Sequence, residues 1–155
     1  MSGSRIRSIE TSHIADLIRI ADETNLNRWS AEAYLDELKN QHAIMLCLVS
    51  ETNETRGFIV GRIVLAADDD FAVDAEIYNI GIEPSKQRNG FGQMLIDSFV
   101  AKCLTKNVRD IWLEVRESNT AAINIYQKNG FRRTAIRKDF YSDPRENAIL
   151  MCRRV

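Results

Sequence analysis

The chain has 155 residues, 45% of them hydrophobic and 28% charged, with a net charge of −1. That is the make-up of an ordinary soluble globular protein, long enough to bury a core as one domain spanning 1–155. No apolar run approaches the roughly 20 residues of a membrane span. The start, Met1-Ser2-Gly3-Ser4, lacks a basic-then-apolar signal pattern, and near-neutral charge argues against a nucleic-acid partner.

Taken in order, Arg5 to Ile9 alternates as a short strand, and Ile14, Leu17, Ile18 and Ala21 recur at helical spacing over 12–22. Ser30 reads as an N-cap, with Trp29 and Tyr34 placed to form a hydrophobic staple. A short helix over 31–39 follows, with Tyr34, Leu35 and Leu38 inward. Ala43–Val49 and Gly57–Ala67 read as a hairpin around the polar turn 52–55. Asp68-Asp69-Asp70 reads as a solvated turn, since no EF-hand spacing follows it. Asp74–Glu83 is a further strand. A helix runs from Gly90 to about Lys106, with Phe91, Met94, Leu95, Phe99 and Cys103 on one face and Ile96, Val100 and Leu104 widening it. Asp110–Val115 is a strand, parallel to the preceding one because a helix connects them. Asn119–Asn129 is a helix with Ala122, Ile125 and Tyr126 on one stripe and Gly130 as its C′ residue. The strands 131–138 and 146–153 close the chain around Ser142-Asp143-Pro144. The fold class is α/β (α+β): a central mixed sheet holding one parallel pair, with flanking helices.

Two further features are compositional. Cys47, Cys103 and Cys152 form no CxxC pair, and an odd count without a secretion signal favours reduced thiols in the cytoplasm. Each reads as a buried structural cysteine rather than a nucleophile. Residues 1–85 carry 7 basic and 15 acidic side chains, while residues 86–155 carry 14 basic and 7 acidic. One half suits a cationic partner and the other a polyanion, unless the asymmetry is chance on solvated faces. His13 and His42 match no catalytic pattern and read as surface or capping residues.

The stretch from Tyr78 to Leu95 passes from strand, through a break at Pro84 and a glycine-bearing turn, into a helix start. Free N–H groups and the positive dipole end make such a start an anion site. The turn is neither a Walker A loop nor Gly-x-Gly-x-x-Gly. It does match Gln/Arg-x-x-Gly-x-Gly/Ala, as Gln87-Arg88-Asn89-Gly90-Phe91-Gly92. That pattern, between its strand and its amphipathic helix, resembles the acetyl-CoA-binding motif of the GCN5-related N-acetyltransferase (GNAT) superfamily. The order of elements is similar to that fold over nearly the whole chain, with its parallel strands splayed.

Downstream, Trp112-Leu113-Glu114-Val115-Arg116-Glu117-Ser118-Asn119, Ala121-Ala122-Ile123 and Ile125-Tyr126-Gln127-Lys128-Asn129-Gly130-Phe131 resemble one branch, the bacterial ribosomal-protein-alanine N-acetyltransferases (RimI). Trp29-Ser30 and Asp139-Phe140-Tyr141 resemble segments of the same branch. The resemblance implies acetyl-CoA as donor and no metal. As acceptor it implies the N-terminal alanine of the eighteenth small-subunit ribosomal protein, in the cytoplasm, with neither membrane nor direct nucleic-acid contact. It implies Glu114 as the general base, against the plainer reading of a carboxylate pairing with Arg116 or a lysine. It implies Tyr126 as the acid that protonates the CoA thiolate, against a core tyrosine with a satisfied hydroxyl. Ile80, Gly81 and Ile82 would offer backbone groups to the pantetheine arm, with Ile82 N–H a candidate oxyanion donor. Arg88, Asn89, Gly90, Phe91, Gly92 and Gln93 would hold the pyrophosphate, and Asn119 would cap its helix and touch the cofactor.

The chain departs from the family at three places. Gly81 stands where Ala is common and Asn89 where Arg is frequent, and both changes are expected to be tolerated. Asn27-Arg28 precede Trp29 where proline is usual, which bears on peptide preference. Two other functions stay open: a broader N-terminal or small-amine acetyltransferase, and a CoA-binding regulatory module without turnover.

Overall fold

The computed structural model describes residues 3–24, 26 and 29–155, so Asn27-Arg28 and Met1-Ser2 lie outside the described residues. Seven strands, β1 (Arg5–Ser8), β2 (Ala43–Val49), β3 (Thr55–Leu65), β4 (Val73–Ile82), β5 (Val108–Arg116), β6 (Arg132–Ser142) and β7 (Arg145–Arg154), form one sheet. Its order is β1-β2-β3-β4-β5-β7-β6, and β4 with β5 is its parallel pair. Helices α1 (Ile14–Glu23), α2 (Ala31–Leu38), α3 (Phe91–Thr105) and α4 (Thr120–Lys128) complete the chain. No helix among the described residues is long and apolar enough to cross a membrane.

Strand alternation divides the core into two layers. On one face α3 and α4 pack Leu95, Phe99 and Ile123 onto Leu46, Ile59, Ile77 and Leu113. On the other, α1 and α2 pack Leu17, Ile20 and Tyr34 onto Met45, Cys47, Phe58 and Val60. Only the first layer reaches β5 and β7, so the opposite face of those strands carries no helix from α1 or α2.

Local rules explain most boundaries. Ser30 Oγ accepts from Ala33 N–H at 3.0 Å, and the Trp29 and Tyr34 rings lie 5.3 Å apart, completing the staple. Asn119 Oδ1 accepts from Ala122 N–H at 3.2 Å and caps α4. Gly130, at φ 84°, lets Phe131 N–H return to Tyr126 C=O at 3.0 Å.

Three expectations are corrected. The first helix is split, with a 3-10 turn at Thr11–His13 before α1. Of the surface and capping roles read for His13 the structure shows capping: the ring is buried and its Nδ1 accepts from Glu10 N–H at 2.9 Å. His42 is exposed. In α2, Leu35 is 40% exposed while Glu37 is buried, because Arg62 on β3 reaches over and binds both Glu37 carboxylate oxygens. Leu104, at the C-terminal end of α3, is likewise exposed.

Candidate active site

β4 and β5 pair from Val73↔Val108 to Ile77↔Leu113 and then part, although β4 continues to Ile82 and β5 to Arg116. The cause is visible in the next ladder. Val60 pairs with Asn79 but Gly61 with Ile77, leaving Tyr78 as an extra residue in β4. Such a bulge bends its strand and raises its twist. It also changes the alternation: Ala75, Ile77, Ile80 and Ile82 all belong to the α3 layer, while Tyr78 turns to Trp29, 6.0 Å away. The splay opens a cleft of about 1400 Å³ that joins the two faces of the sheet.

The open edge of β4 carries free backbone groups. Glu83 N–H donates to Arg56 C=O on β3 at 2.8 Å. Successive residues point their N–H groups to opposite edges, so Ile82 and Ile80 direct theirs into the cleft. Ile82 C=O accepts from Gln87 Nε2 at 3.1 Å, which ties the turn to the strand end. Gly81 points its N–H back toward β3 and takes no part in this edge; its missing side chain makes room for Leu26 and Phe58.

The turn after β4 is built for an anion. Pro84–Lys86 form a 3-10 turn, Arg88 holds φ 65° and Gly90, at φ 78°, serves as N-cap of α3. No side chain caps α3. Met94 N–H bonds Gly90 C=O at 3.1 Å, so the N–H groups of Phe91, Gly92 and Gln93 precede the first intrahelical bond and point out of the helix start. Asn89 turns inward instead: its Nδ2 donates to Lys86 and Gln87 carbonyls at 3.0 and 3.3 Å. The Gln93 side chain exchanges hydrogen bonds with Asn129, fastening α3 to the end of α4, so only its backbone faces an anion. Phe91 is buried in the α3 layer.

The two candidate chemical side chains, Glu114 and Tyr126, stand on opposite faces of the sheet and both line the cleft. Glu114 alternates with Leu113 and Val115, which belong to the α3 layer, so its carboxylate points to the other face. Its Oε1 lies 3.9 Å from Arg137 Nε on β6, and its Oε2 is buried without a hydrogen-bond partner. Burial raises its pKa, Arg137 opposes the rise and Glu76 adds to it. Arg116, the partner a plain ion-pair reading assigns, is taken instead by Glu146 at 3.3 Å. Tyr126 on α4 lines the cleft from the α3 side, 5% exposed, its ring 5.7 Å from Phe131. Burial pushes its hydroxyl pKa up, so it stays protonated at neutral pH. Asn119 lines the same wall.

Of the twelve anticipated site residues, Ile80, Gly81, Ile82, Arg88, Gly92, Glu114, Asn119 and Tyr126 line the cleft, whereas Asn89, Gly90, Phe91 and Gln93 belong to the turn and the start of α3 beside it, and Gly81, Asn89 and Phe91 point their side-chain positions elsewhere. Sequence reasoning did not single out Glu76, Arg137 or the Arg62–Glu37 pair. No motif marks them, because strands distant in the chain bring them together. Cys47 and Cys103 are fully buried and Cys152 partly, with burial pushing their thiols up to about 11, 12 and 11. None is a reactive thiolate. The described residues include no metal-binding cluster of His, Cys, Asp and Glu.

The profile of the acetyltransferase (GNAT) family matches residues 14–131. A [ribosomal protein bS18]-alanine N-acetyltransferase of Haemophilus influenzae is 35% identical over 151 residues, covering 96% of this chain and 97% of that one. The crystal structure of the ribosomal-protein-S18-alanine N-acetyltransferase from Escherichia coli superposes with a TM-score of 0.83 at 28% identity, covering 98% of this chain and 94% of that one. Arabidopsis thaliana NAA60, solved with acetyl-CoA, has the same fold, with a TM-score of 0.88 at 20% identity and 98% of each chain covered.

Proposed function

The chain belongs to the acetyltransferase (GNAT) family, and from that premise we propose that it is an acetyl-CoA-dependent Nα-acetyltransferase. Its acceptor is the N-terminal alanine of a small-subunit ribosomal protein, met in the cytoplasm, and the whole of 1–155 acts as one catalytic domain. The observation that carries the reaction is the cleft through the sheet, with an under-solvated carboxylate on one face and a protonated buried tyrosine on the other. The choice of acceptor rests on the relatives, which act on bS18.

Acetyl-CoA supplies the acetyl thioester. The N–H groups at the start of α3, from Phe91 to Gln93, and the Arg88 side chain bind its pyrophosphate. Ile80 and Ile82 extend the sheet edge along the pantetheine arm, and Ile82 N–H takes the developing oxyanion. Asn119 contacts the same arm while capping α4.

An α-amino group has a pKa of roughly 8, so near neutral pH it is mostly protonated. Glu114 accepts that proton, through a water where the distance requires, and the nitrogen lone pair then attacks the thioester carbon. As the carbon–sulfur bond breaks, Tyr126 gives its proton to the leaving thiolate, the nitrogen sheds its second proton to solvent, and Tyr126 regains one from solvent. One ammonium and one thioester become one amide, one thiol and one released proton.

The test is a panel of short peptides differing at the first residue, incubated with acetyl-CoA and read by mass spectrometry. Selective acetylation of Ala-initiated peptides is expected. Equal turnover of other N-termini or of free polyamines refutes the narrow acceptor and favours a broader amine acetyltransferase. Acetyl-CoA binding without acetylation of any acceptor makes the protein a regulatory module.

A further inference from the structure

The face of the cleft opposite α3 holds more negative charge than the reaction requires. The β4–β5 register sets Glu76 opposite Trp112, and Glu114 lies two residues further along β5, on the same face. With strands about 4.8 Å apart and a rise near 3.3 Å per residue, the two backbones are separated by about 8 Å, close enough for both carboxylates to reach one cation. Both residues line the cleft.

The charged neighbours are otherwise matched. Glu37 on α2 holds Arg62 of β3, Arg116 of β5 holds Glu146 of β7, and Asp74 of β4 holds Arg109 of β5. Arg137 of β6 is the one cation within ion-pair distance of Glu114 among the described residues, at 3.9 Å. Across the β3–β4 ladder Glu76 faces Arg62, which is itself ion-paired with Glu37, and among the described residues no cation lies within ion-pair distance of Glu76. Three carboxylates, Glu37, Glu76 and Glu114, therefore face two guanidiniums, Arg62 and Arg137, and the local balance is negative. Aromatic walls stand beside them. The Tyr78 ring lies between Trp29, at 6.0 Å, and the Arg62 guanidinium, at 5.7 Å. Carboxylates with aromatic rings are the chemistry that recognises an ammonium group.

We propose that Glu76 and Glu114 together bind the acceptor's α-amino group in its ammonium form, beside the rings of Trp29 and Tyr78, and that Glu76 is the residue selecting a free cationic N-terminus. This rests on the acetyltransferase reading above and adds how the acceptor is chosen. Glu114 removes the proton, whereas Glu76 holds the nitrogen in line. The proton passes from nitrogen to Glu114 and then to solvent, so the overall stoichiometry is unchanged.

Binding is measured without turnover, by calorimetry on the CoA-bound protein. The ligands are a short Ala-initiated peptide and its des-amino analogue, which lacks the nitrogen. The wild type is expected to prefer the amino peptide by at least about tenfold at pH 7, the range of a charge-assisted contact. The preference should fade near pH 9.5, where the amine is neutral. Equal affinity for the two peptides at pH 7 overturns the proposal without any variant. In Glu76→Gln the amino peptide should lose about tenfold in affinity and gain a similar factor in KM, with kcat within about threefold. The des-amino analogue should bind both proteins alike. A loss of equal size for both peptides, or one that persists at pH 9.5, assigns Glu76 a purely structural role and overturns the proposal. Absence of acetylation by the wild type refutes the enzymatic reading instead, since the affinity comparison does not depend on turnover.

Discussion

Alanine at position 81 should destabilise this protein, although it is the common residue of the family there. A Cβ built on Gly81 would lie 2.9 Å from Leu26 Cδ1, 3.0 Å from Phe58 Cε1 and 3.1 Å from Ile20 Cγ2. Phe58 and Ile20 are fully buried, so neither can swing into solvent. Overpacking of this kind costs about 1–3 kcal/mol, and three simultaneous contacts place it in the upper part of that range. Against it stand about 0.8 kcal/mol for a buried methyl and about 0.4–1 kcal/mol from restricting the unfolded chain. The net is a destabilisation of about 1 kcal/mol, which for a chain of this size lowers Tm by about 2–4 °C. Urea denaturation should show a lower midpoint with an unchanged m-value. Gly90→Ala is the control. Its Cβ meets nothing within 4 Å, but φ is 78°, so its cost of about 1 kcal/mol is backbone strain alone. A Gly81→Ala protein as stable as the wild type would refute the packing of α1 onto β4. The expectation from sequence, that Gly81 and Ala are interchangeable, would then stand.

The remaining predictions concern chemistry and pH. Glu114→Gln should lower kcat by about 10²–10⁴ with acetyl-CoA affinity nearly unchanged, measured by steady-state kinetics and calorimetry; an unchanged kcat removes Glu114 as the base. Tyr126→Phe should lower kcat at every pH, and wild-type turnover across the profile discards the general acid. Burial raises Glu114's pKa, so kcat/KM should fall as pH drops through a value above the usual 4.5. Arg137 opposes that shift, so Arg137→Gln should move the acid limb to still higher pH; a shift downward contradicts the ion-pair geometry. Burial lowers the pKa of His13 from 6.5. The unfolded chain then binds more protons, and stability present above about pH 6.5 is lost as pH falls below it. Thermal melts from pH 7.5 to 5 should show this slope, and it should flatten in His13→Asn, whose Oδ1 replaces the accepting nitrogen.

The turn after β4 was legible in sequence because its signals are local. A strand that stops at proline, a glycine forced to φ 78° and a helix that needs no side-chain cap occupy fewer than twenty consecutive residues. The same holds for Ser30, Asn119 and Gly130, whose capping contacts reach only a few positions. Helix faces were less secure. Leu35 fits the apolar stripe of α2 yet is exposed, and Glu37 breaks the stripe yet is buried, because Arg62 lies 25 positions away in the chain. Periodicity ranks side chains by transfer free energy and cannot know that a buried carboxylate has a partner.

The sequence by itself, through its family resemblance, marked the residues for which an acyl-transfer role is proposed. It placed Glu114 on a strand, Tyr126 on a helix after a capping asparagine, and an anion-binding helix start between two parallel strands. Only the tertiary structure decided that the strands part after Ile77, since the cause is one extra residue in a ladder with β3. From that parting follow the cleft, the opposed faces of Glu114 and Tyr126, and the company of Glu76, Trp29 and Arg137. Local propensity is a property of neighbours in sequence, whereas register, burial and charge balance arise only when distant segments share one sheet.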